Sequence, residues 1–533
     1  MRDADLASAG AASQPLRRHP PTEPDEAVSQ SITPVVTRPP TTRRGARHLY
    51  DAIVVGTGVG GAVAAGLLAH RGARLLVIDK NHALGGILAS YHRDGFKLDT
   101  GSHLVPQGAK GPLAVALRGA ALNRPRFLTH RIPVRSRGIF DVSAPERRAD
   151  LLSIGVRMVR DLGLPPRDRL ALARMIFQVF TLTEPELRVW DRRTLDAFIR
   201  QHTEHPAAYY LFSFLASIFF VLPPWQVAAG ESIRALRGVL WSYSLSYVEG
   251  GMDSIPHALL WRVVEAGGEI VTGRRVVAIR PRGDRLVVAT DDGSEHEAPA
   301  VACNMAPSDV LALLDGADIP EPYAAKVAAI RPSGNAHQIK VALRRPLVEE
   351  GCLIGGASDR GVTLADLTIP MMEEVVASIE AGRIPDPMPV YAPVPSNYDA
   401  RVAPEGRQLI VASVYGPSGP STDPPERWRE RGLACLAQMV PGLMDELLFA
   451  EFTSVPTLGS WMGKSGGGAI CNGQFPGQVG RDRLPVATPV RGLFVTGDGA
   501  GGRGIGTEMA ATSAMEVARA IAAQLSGDAR RAA

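Results

Sequence analysis

The residues best placed to do chemistry cluster early in the chain. In Ile53-Val-Val-Gly-Thr-Gly-Val-Gly-Gly61, Gly56, Gly58 and Gly61 stand at GxGxxG spacing, with Gly60 inside the same loop. Eighteen residues after Gly61 comes Asp79, followed at once by Lys80. Each residue type has a reason to be there. Gly56 permits a tight turn, Gly58 lets backbone amides approach a pyrophosphate, and Gly61 lets a helix close onto a strand. Asp79 can accept hydrogen bonds from ribose hydroxyls, and its charge repels a 2′-phosphate, which disfavours NADP. A second locus lies near the other end: Gly492-Leu-Phe-Val-Thr-Gly497-Asp498, then Gly499-Ala-Gly-Gly-Arg-Gly-Ile-Gly506-Thr507.

The elements that must position these groups follow from the flanking pattern. Ala52 to Val55 is a short apolar run of the buried parallel-strand kind, Ala62 to His70 continues as a helix ending at Gly72, and Arg74 to Ile78 is a second strand leading into Asp79. That completes a βαβ unit, the context that turns a weak glycine pattern into a specific dinucleotide site. Residues 492–498 read as a strand ending in a Gly-Asp turn, with a helix from about Thr507 to Ala523. Between the loci, Gly85-Gly86 precedes a hairpin-like stretch from Ser90 to His103.

At this point the sequence resembles the FAD-dependent amine-oxidase-like superfamily, and within it the phytoene desaturase, carotenoid isomerase and retinol saturase branch. Four blocks carry the resemblance: GTGVGG with Asp79 and Gly85-Gly86, DGFKLDTGSH, residues 247–279, and GLFVTGDGAGGRGIGTEMAATSA at 492–514. The resemblance implies an α/β fold in which a discontinuous Rossmann-like FAD-binding domain is interleaved with an α+β substrate domain. It also implies FAD as cofactor. Asp79, with Lys80 beside it, would hold the adenosine ribose, and Gly85 and Gly86 would lie along the dinucleotide. Val276 would pair its backbone with adenine, and Gly497-Asp498 would bond the ribityl or pyrophosphate region. The helix opened by Gly506 and Thr507 would point at the flavin, where its positive end favours the negative charge of the reduced ring. One departure stands out: the last block reads GGRGIGTEMA, without the proline of bacterial phytoene desaturases. It brings Arg503 and Glu508 towards the ring, where they read as a solvated charge and a first-turn carboxylate.

Other patterns are weaker. Gly459-Ser-Trp-Met-Gly463-Lys464-Ser465 is one residue short of a phosphate-binding P-loop and follows no parallel-strand run. His202 and His205 lack an acidic partner pattern, and no metal site is expected. Cys303, Cys352, Cys435 and Cys471 are scattered without a CxxC, which fits buried apolar roles in a reducing, cytoplasmic setting.

Length and charge bound the rest. The 533 residues leave ample chain for a large core. Residues 1–48 carry seven Arg against five acidic side chains, so they supply +2 of the net +4 and the body only the other +2, too little for a nucleic-acid binder. That Pro-, Ser- and Arg-rich stretch has no apolar core of a signal peptide and reads as a disordered leader. From Pro206 to Gly230 there is no charge, but the 16 residues Ala207 to Leu222 fall short of the roughly 20 that span a bilayer. They read as a buried helix, a substrate channel or a monotopic membrane contact.

The expected organisation places the FAD-binding domain at 49–135, 248–306 and 485–525. The substrate domain occupies 136–247 and 307–484, and a tail runs over 526–533. Helical periodicity appears at 151–159 and 170–180, and strand-like runs at 338–343, 388–393 and 408–414, which suggests a sheet beneath helices. Tyr210, Phe214, Phe219, Trp241 and Tyr247 belong to an aromatic, uncharged set suited to a long apolar substrate. The expected reaction is desaturation of a C–C bond in a polyene- or isoprenoid-like molecule by hydride transfer to flavin, with oxygen or a quinone as acceptor. His103 is the nearest titratable candidate for catalysis. Isomerisation or saturation of double bonds and amine oxidation are alternatives within this fold, and a prenyl- or lipid-binding escort protein is the alternative outside enzymes.

Overall fold

In a computed structural model of the chain, the described residues are 50–532 except 102, 140–141, 144–163, 364–365 and 465–467. Side chains at 142–143, 207–208, 211, 214–215 and 528–532 are likewise outside the description. The leader and the 151–159 helical pattern therefore lie outside the described residues, as does the side chain of Phe214.

The glycine loop sits on a wholly parallel sheet in the order β19 (Leu493–Val495), β13 (Val301–Cys303), β1 (Ala52–Val55), β2 (Leu75–Ile78), β9 (Glu269–Val271). Its central strands are buried on both faces, which is why they read as continuous apolar runs. Ala52 and Val54 face α1 (Val59–His70), α7 (Ser254–Glu265) and α11 (Gly506–Ala532), whereas Ile53 and Val55 face a three-stranded antiparallel layer, β10 (Val276–Arg282), β11 (Arg285–Thr290) and β12 (Glu295–Ala298). The FAD half is thus three layers. α11 runs on to Ala532, past the expected end at Ala523, so what was expected as a tail from residue 526 continues a helix.

The second half is a seven-stranded sheet in the order β18 (Leu447–Thr453), β14 (Asn335–Leu343), β17 (Gln408–Gly416), β16 (Met388–Pro393), β15 (Cys352–Ala357), β6 (Arg135–Gly138), β7 (Val142–Ser143). One face packs on α9 (Pro425–Met439) around the fully buried Trp428. Over the other face lies a helical cap with its own core: α2 (Pro166–Thr181), α3 (Glu184–Trp190), α4 (Leu195–Arg200), α5 (Pro206–Phe220) and α6 (Ala229–Ser242), joined by α8 (Ile369–Glu380). The uncharged 207–222 segment is mostly α5, whose Tyr209, Phe212 and Phe220 are core. No helix among the described residues is long and apolar enough to cross a membrane. The hairpin β3 (Ser90–Arg93) with β4 (Phe96–Asp99), and the pair β5 (Phe127–Thr129) with β8 (Ser246–Val248), tie the two halves together.

Candidate active site

One continuous cavity of about 1300 Å³ runs from the glycine loop into the space between the seven-stranded sheet and the helical cap. Gly58, Gly60, Asp79, Arg274, Val276 and Asn304 line its first half. A side chain outside every motif, Asn304 just after β13, lies among the glycines, and a Cβ on Gly60 would also meet the Gly497 backbone at 2.6 Å. A Cβ on Gly58 would fall 2.5 Å from Asn304 Nδ2, one on Gly60 2.6 Å from Asn304 Oδ1, and one on Gly497 2.4 Å from the same oxygen. On Gly61 it would meet Gly56 O at 1.8 Å. The loop, β13 and the Gly497 turn therefore pack at backbone distance, and the first turn of α1 opens on the cavity with no side-chain cap on its amides. Uncapped amides at a helix N-terminus form a cradle for phosphate.

Asp79 is already heavily used. Its Oδ2 accepts from Thr57 N and Thr57 Oγ1, each at 2.6 Å, and its Oδ1 accepts from Asn81 N at 2.8 Å. A carboxylate has about four acceptor sites, so one remains for a ribose hydroxyl. Lys80 lines the cavity, but its ammonium donates to Ser460 O at 3.1 Å and Trp461 O at 2.8 Å, at the end of α10 (Val455–Met462). It fastens α10 to the cofactor half. Gly85 and Gly86 adopt φ of 106° and 57°, the left-handed region glycine tolerates. Only Gly86 of the two lines the cavity, and Trp461 Nε1 donates to its carbonyl at 3.1 Å. Val276 lines the cavity at the start of β10, where Arg274 N donates to Asp79 O at 3.0 Å.

Asp498, Gly506 and Thr507 line the middle of the cavity, with Gly497 behind them. Asp498 Oδ2 accepts from Lys464 Nζ at 2.7 Å and from Cys471 N at 2.9 Å. Burial opposes the Asp498 charge, but the Lys464 ammonium and the Cys471 amide outweigh it and hold the carboxyl below its ordinary range. Buried Arg483 donates to Asn472 O at 3.1 Å and Asp498 O at 2.6 Å, pinning both loops. Lys464 belongs to the stretch that mimics a P-loop. The structure makes it a helix end instead, α10 with Gly463 left-handed at its C-cap, and spends the lysine on Asp498.

The departure in the glycine-rich segment is structural. Arg503 is not a solvated charge: it bridges Asp191 and Glu231 of the cap, each at 3.2 Å, while Gly504 N donates to Glu231 Oε1 at 3.0 Å. Glu508 is fully buried, accepting from Gln107 N at 2.8 Å, and burial pushes its carboxyl up to about 7.

The second half of the cavity is mostly apolar, with Ile218, Phe219, Leu222, Met371, Met372 and Val376 on its walls beside the hydrogen-bonded pair Gln226 and Glu380. Of the expected aromatics, Tyr210 and Phe219 line it. Tyr247 does not; it is core, donating to Asp99 Oδ2 at 2.7 Å, because β8 pairs with β5 and turns the ring inward. Trp241 is 71% exposed on the outer side of α6. His103 lines the cavity, with Nε2 3.5 Å from Ser413 Oγ. Burial first, then the charge of Lys340, push its pKa down to about 3, so charging it at neutral pH costs on the order of 5 kcal/mol. A general base needs a far more willing imidazole, and His103 is a neutral hydrogen-bonding residue. Asn304, Lys464, Arg483 and Gln338 carry no motif; only the near-P-loop spelling drew attention to one of them.

These features fit a flavin dinucleotide: an uncapped helix N-terminus, a carboxylate with one free site, and a second helix start facing the cavity midpoint. The sequence pattern of flavin-containing amine oxidoreductases matches residues 59–522. The chain belongs to that family. FAD is its cofactor, and it is an oxidoreductase of the amine-oxidase-like fold. The chloroplast prolycopene isomerase of Arabidopsis thaliana is 49% identical over 65 residues, 12% of this chain and 11% of that protein. A Streptomyces griseus phytoene dehydrogenase is 27% identical over 266 residues, 46% of this chain and 52% of that one. The chain thus matches about a tenth of the isomerase and half of the dehydrogenase. An oxidoreductase structure from Methanosarcina mazei superposes with a TM-score of 0.64 at 21% identity over 88% of this chain and 99% of that one. A redesigned putrescine oxidase gives 0.63 at 14% identity over 89% and 99%. At those identities the likeness is one of fold.

Proposed function

We propose that this enzyme desaturates a carbon–carbon bond of a long apolar, polyene- or isoprenoid-like substrate. The observation that carries the reading is the single cavity joining the dinucleotide cradle to an apolar chamber. Bound FAD supplies a two-electron acceptor for hydride. The protein's part is placement: Ile218, Phe219 and Leu222 on one side and Met371, Met372 and Val376 on the other hold a carbon skeleton. Neutral His103 orients the substrate, and the departing proton goes to solvent. Oxygen or a quinone reoxidises the flavin in this reading. The outward stripe Leu170, Phe177 and Phe180 on α2, with Trp241 and exposed Arg174, supports peripheral contact with an anionic lipid surface, to be tested by cosedimentation with vesicles.

Double-bond isomerisation is the second reading, favoured by the 49% local identity to prolycopene isomerase. The test is anaerobic mixing of the purified flavoprotein with polyene, isoprenoid and amine candidates while the flavin absorbance is followed. Bleaching by a polyene or isoprenoid supports desaturation. A rearranged product without net bleaching supports isomerisation, and bleaching by amines alone overturns both. A preparation that takes up no FAD would return the lipid-escort alternative.

A further inference from the structure

The segment that brings α11 to the cavity is rich in glycine. Gly501, Gly502, Gly504 and Gly506 take φ of 57°, 64°, 116° and 43°, a backbone that glycine adopts without strain. A chain so free must be fixed from outside. Part of the fixing lies within the FAD half, where Gly502 N donates to Glu516 Oε1 at 3.3 Å and Ser513 Oγ to Ala500 O at 2.6 Å. A second set of ties crosses to the cap. Glu231, in the first turn of α6 and 1% exposed, accepts from Gly504 N at 3.0 Å with Oε1 and from Arg503 at 3.2 Å with Oε2. Asp191, just after α3, takes the other arm of Arg503 at 3.2 Å and Arg234 at 2.6 Å. Two carboxylates and two guanidiniums thus close a network in which each buried carboxylate is paired. Ile505, the residue after Gly504, is buried in the cap core and also lines the cavity.

We propose that Glu231 is a positioning residue for the flavin. A dinucleotide whose phosphates sit at the glycine loop presents its redox ring where the cavity passes into the chamber, and Gly506 and Thr507, which begin α11, line that passage. By accepting from Gly504 N, two residues ahead of the helix, Glu231 sets how closely the positive end of α11 stands to the ring. A nearer positive end favours the negative charge of reduced flavin. The anchor comes from α6, whose Val239 and Leu240 line the same cavity, so one cap helix touches both the chamber and the segment that carries α11. The inference requires bound FAD and is independent of the substrate and reaction proposed above.

The test compares two double variants of the FAD-loaded enzyme, Glu231→Gln with Arg503→Met and Glu231→Leu with Arg503→Met. Both carry the same charges, and only glutamine can still accept from Gly504 N. The readout is the midpoint potential of the bound flavin, from anaerobic reduction against a dye of known potential. The leucine pair is expected to favour reduced flavin about tenfold less than the glutamine pair, a potential lower by about 30 mV for a two-electron couple. Equal potentials, or a higher one in the leucine pair, would overturn the inference. Should the leucine pair lose its flavin, binding of ADP, which fills the cradle without a flavin ring, decides. ADP affinity equal in the two pairs would confine the loss to the ring end and support the positioning role. Loss of ADP binding as well, or loss of flavin from both pairs, would make Glu231 a residue of the fold at large and overturn it.

Discussion

The two halves of the cavity are built on opposite plans. The dinucleotide half is made of backbone: glycines at van der Waals distance from one another, uncapped amides at a helix start, and a carboxylate whose oxygens are mostly committed to Thr57 and Asn81. The substrate half is made of side chains, mostly apolar, from helices and strands remote in sequence. Backbone recognition tolerates little change at fixed positions. Side-chain recognition tolerates change in volume and is specified by few polar atoms.

The largest effect should come from Gly61→Val. Its side chain would enter the space where Gly56 O already lies 1.8 Å from an ideal Cβ, and the variant should be recovered without flavin, read from the ratio of visible to ultraviolet absorbance. Retained flavin would remove the backbone argument. Next is Asp498→Leu, which strands the Lys464 ammonium in a part-buried site at a cost of about 3 kcal/mol. Flavin content should fall at least about tenfold, and the double variant Asp498→Leu with Lys464→Met should recover stability, though not flavin. On the other side of the contrast, Met372→Trp should keep full flavin content while losing most turnover of long substrates, because it only fills the apolar chamber. A variant that lost flavin instead would merge the two halves.

The smallest effect concerns Glu508, at the seam. Its folded pKa of about 7 lies above the value near 4.5 expected in the unfolded chain, so between these values the native state binds more protons. Its contribution to stability therefore declines as pH rises through that window. Glu508→Gln should gain stability relative to wild type between about pH 5 and pH 8, by up to roughly 3 kcal/mol, in denaturant unfolding of the two proteins at each pH. Comparing them cancels Asp99, raised to about 6, and His337, lowered to about 4, which titrate in both. An unchanged difference across that range would show that Glu508 is already ionised and solvated.

Most of the FAD half was legible because its information is local. Gly56 to Gly61, the strand before them and Asp79 sit within a single βαβ unit, where spacing along the chain nearly fixes spacing in space. The strand runs at 338–343, 388–393 and 408–414 were legible for the same reason, by alternation and β-branching. The aromatics were not. Tyr210, Trp241 and Tyr247 look alike in sequence, yet one lines the cavity, one faces outward and one is core, since rotation about a helix and the choice of partner strand decide.

The sequence by itself determined that a dinucleotide binds here and, through the resemblance of four blocks, that it is FAD. Only the tertiary structure decided that Lys464 serves Asp498, that Asn304 lies among the glycines, that burial keeps His103 neutral, and that Gln338 bonds Gly101. Each of these is a meeting of residues from distant elements: Ser413 and His103 are 310 positions apart, and Gln338 and Gly101 are 237 apart. Burial, which sets the imidazole's charge, exists only once those elements have packed.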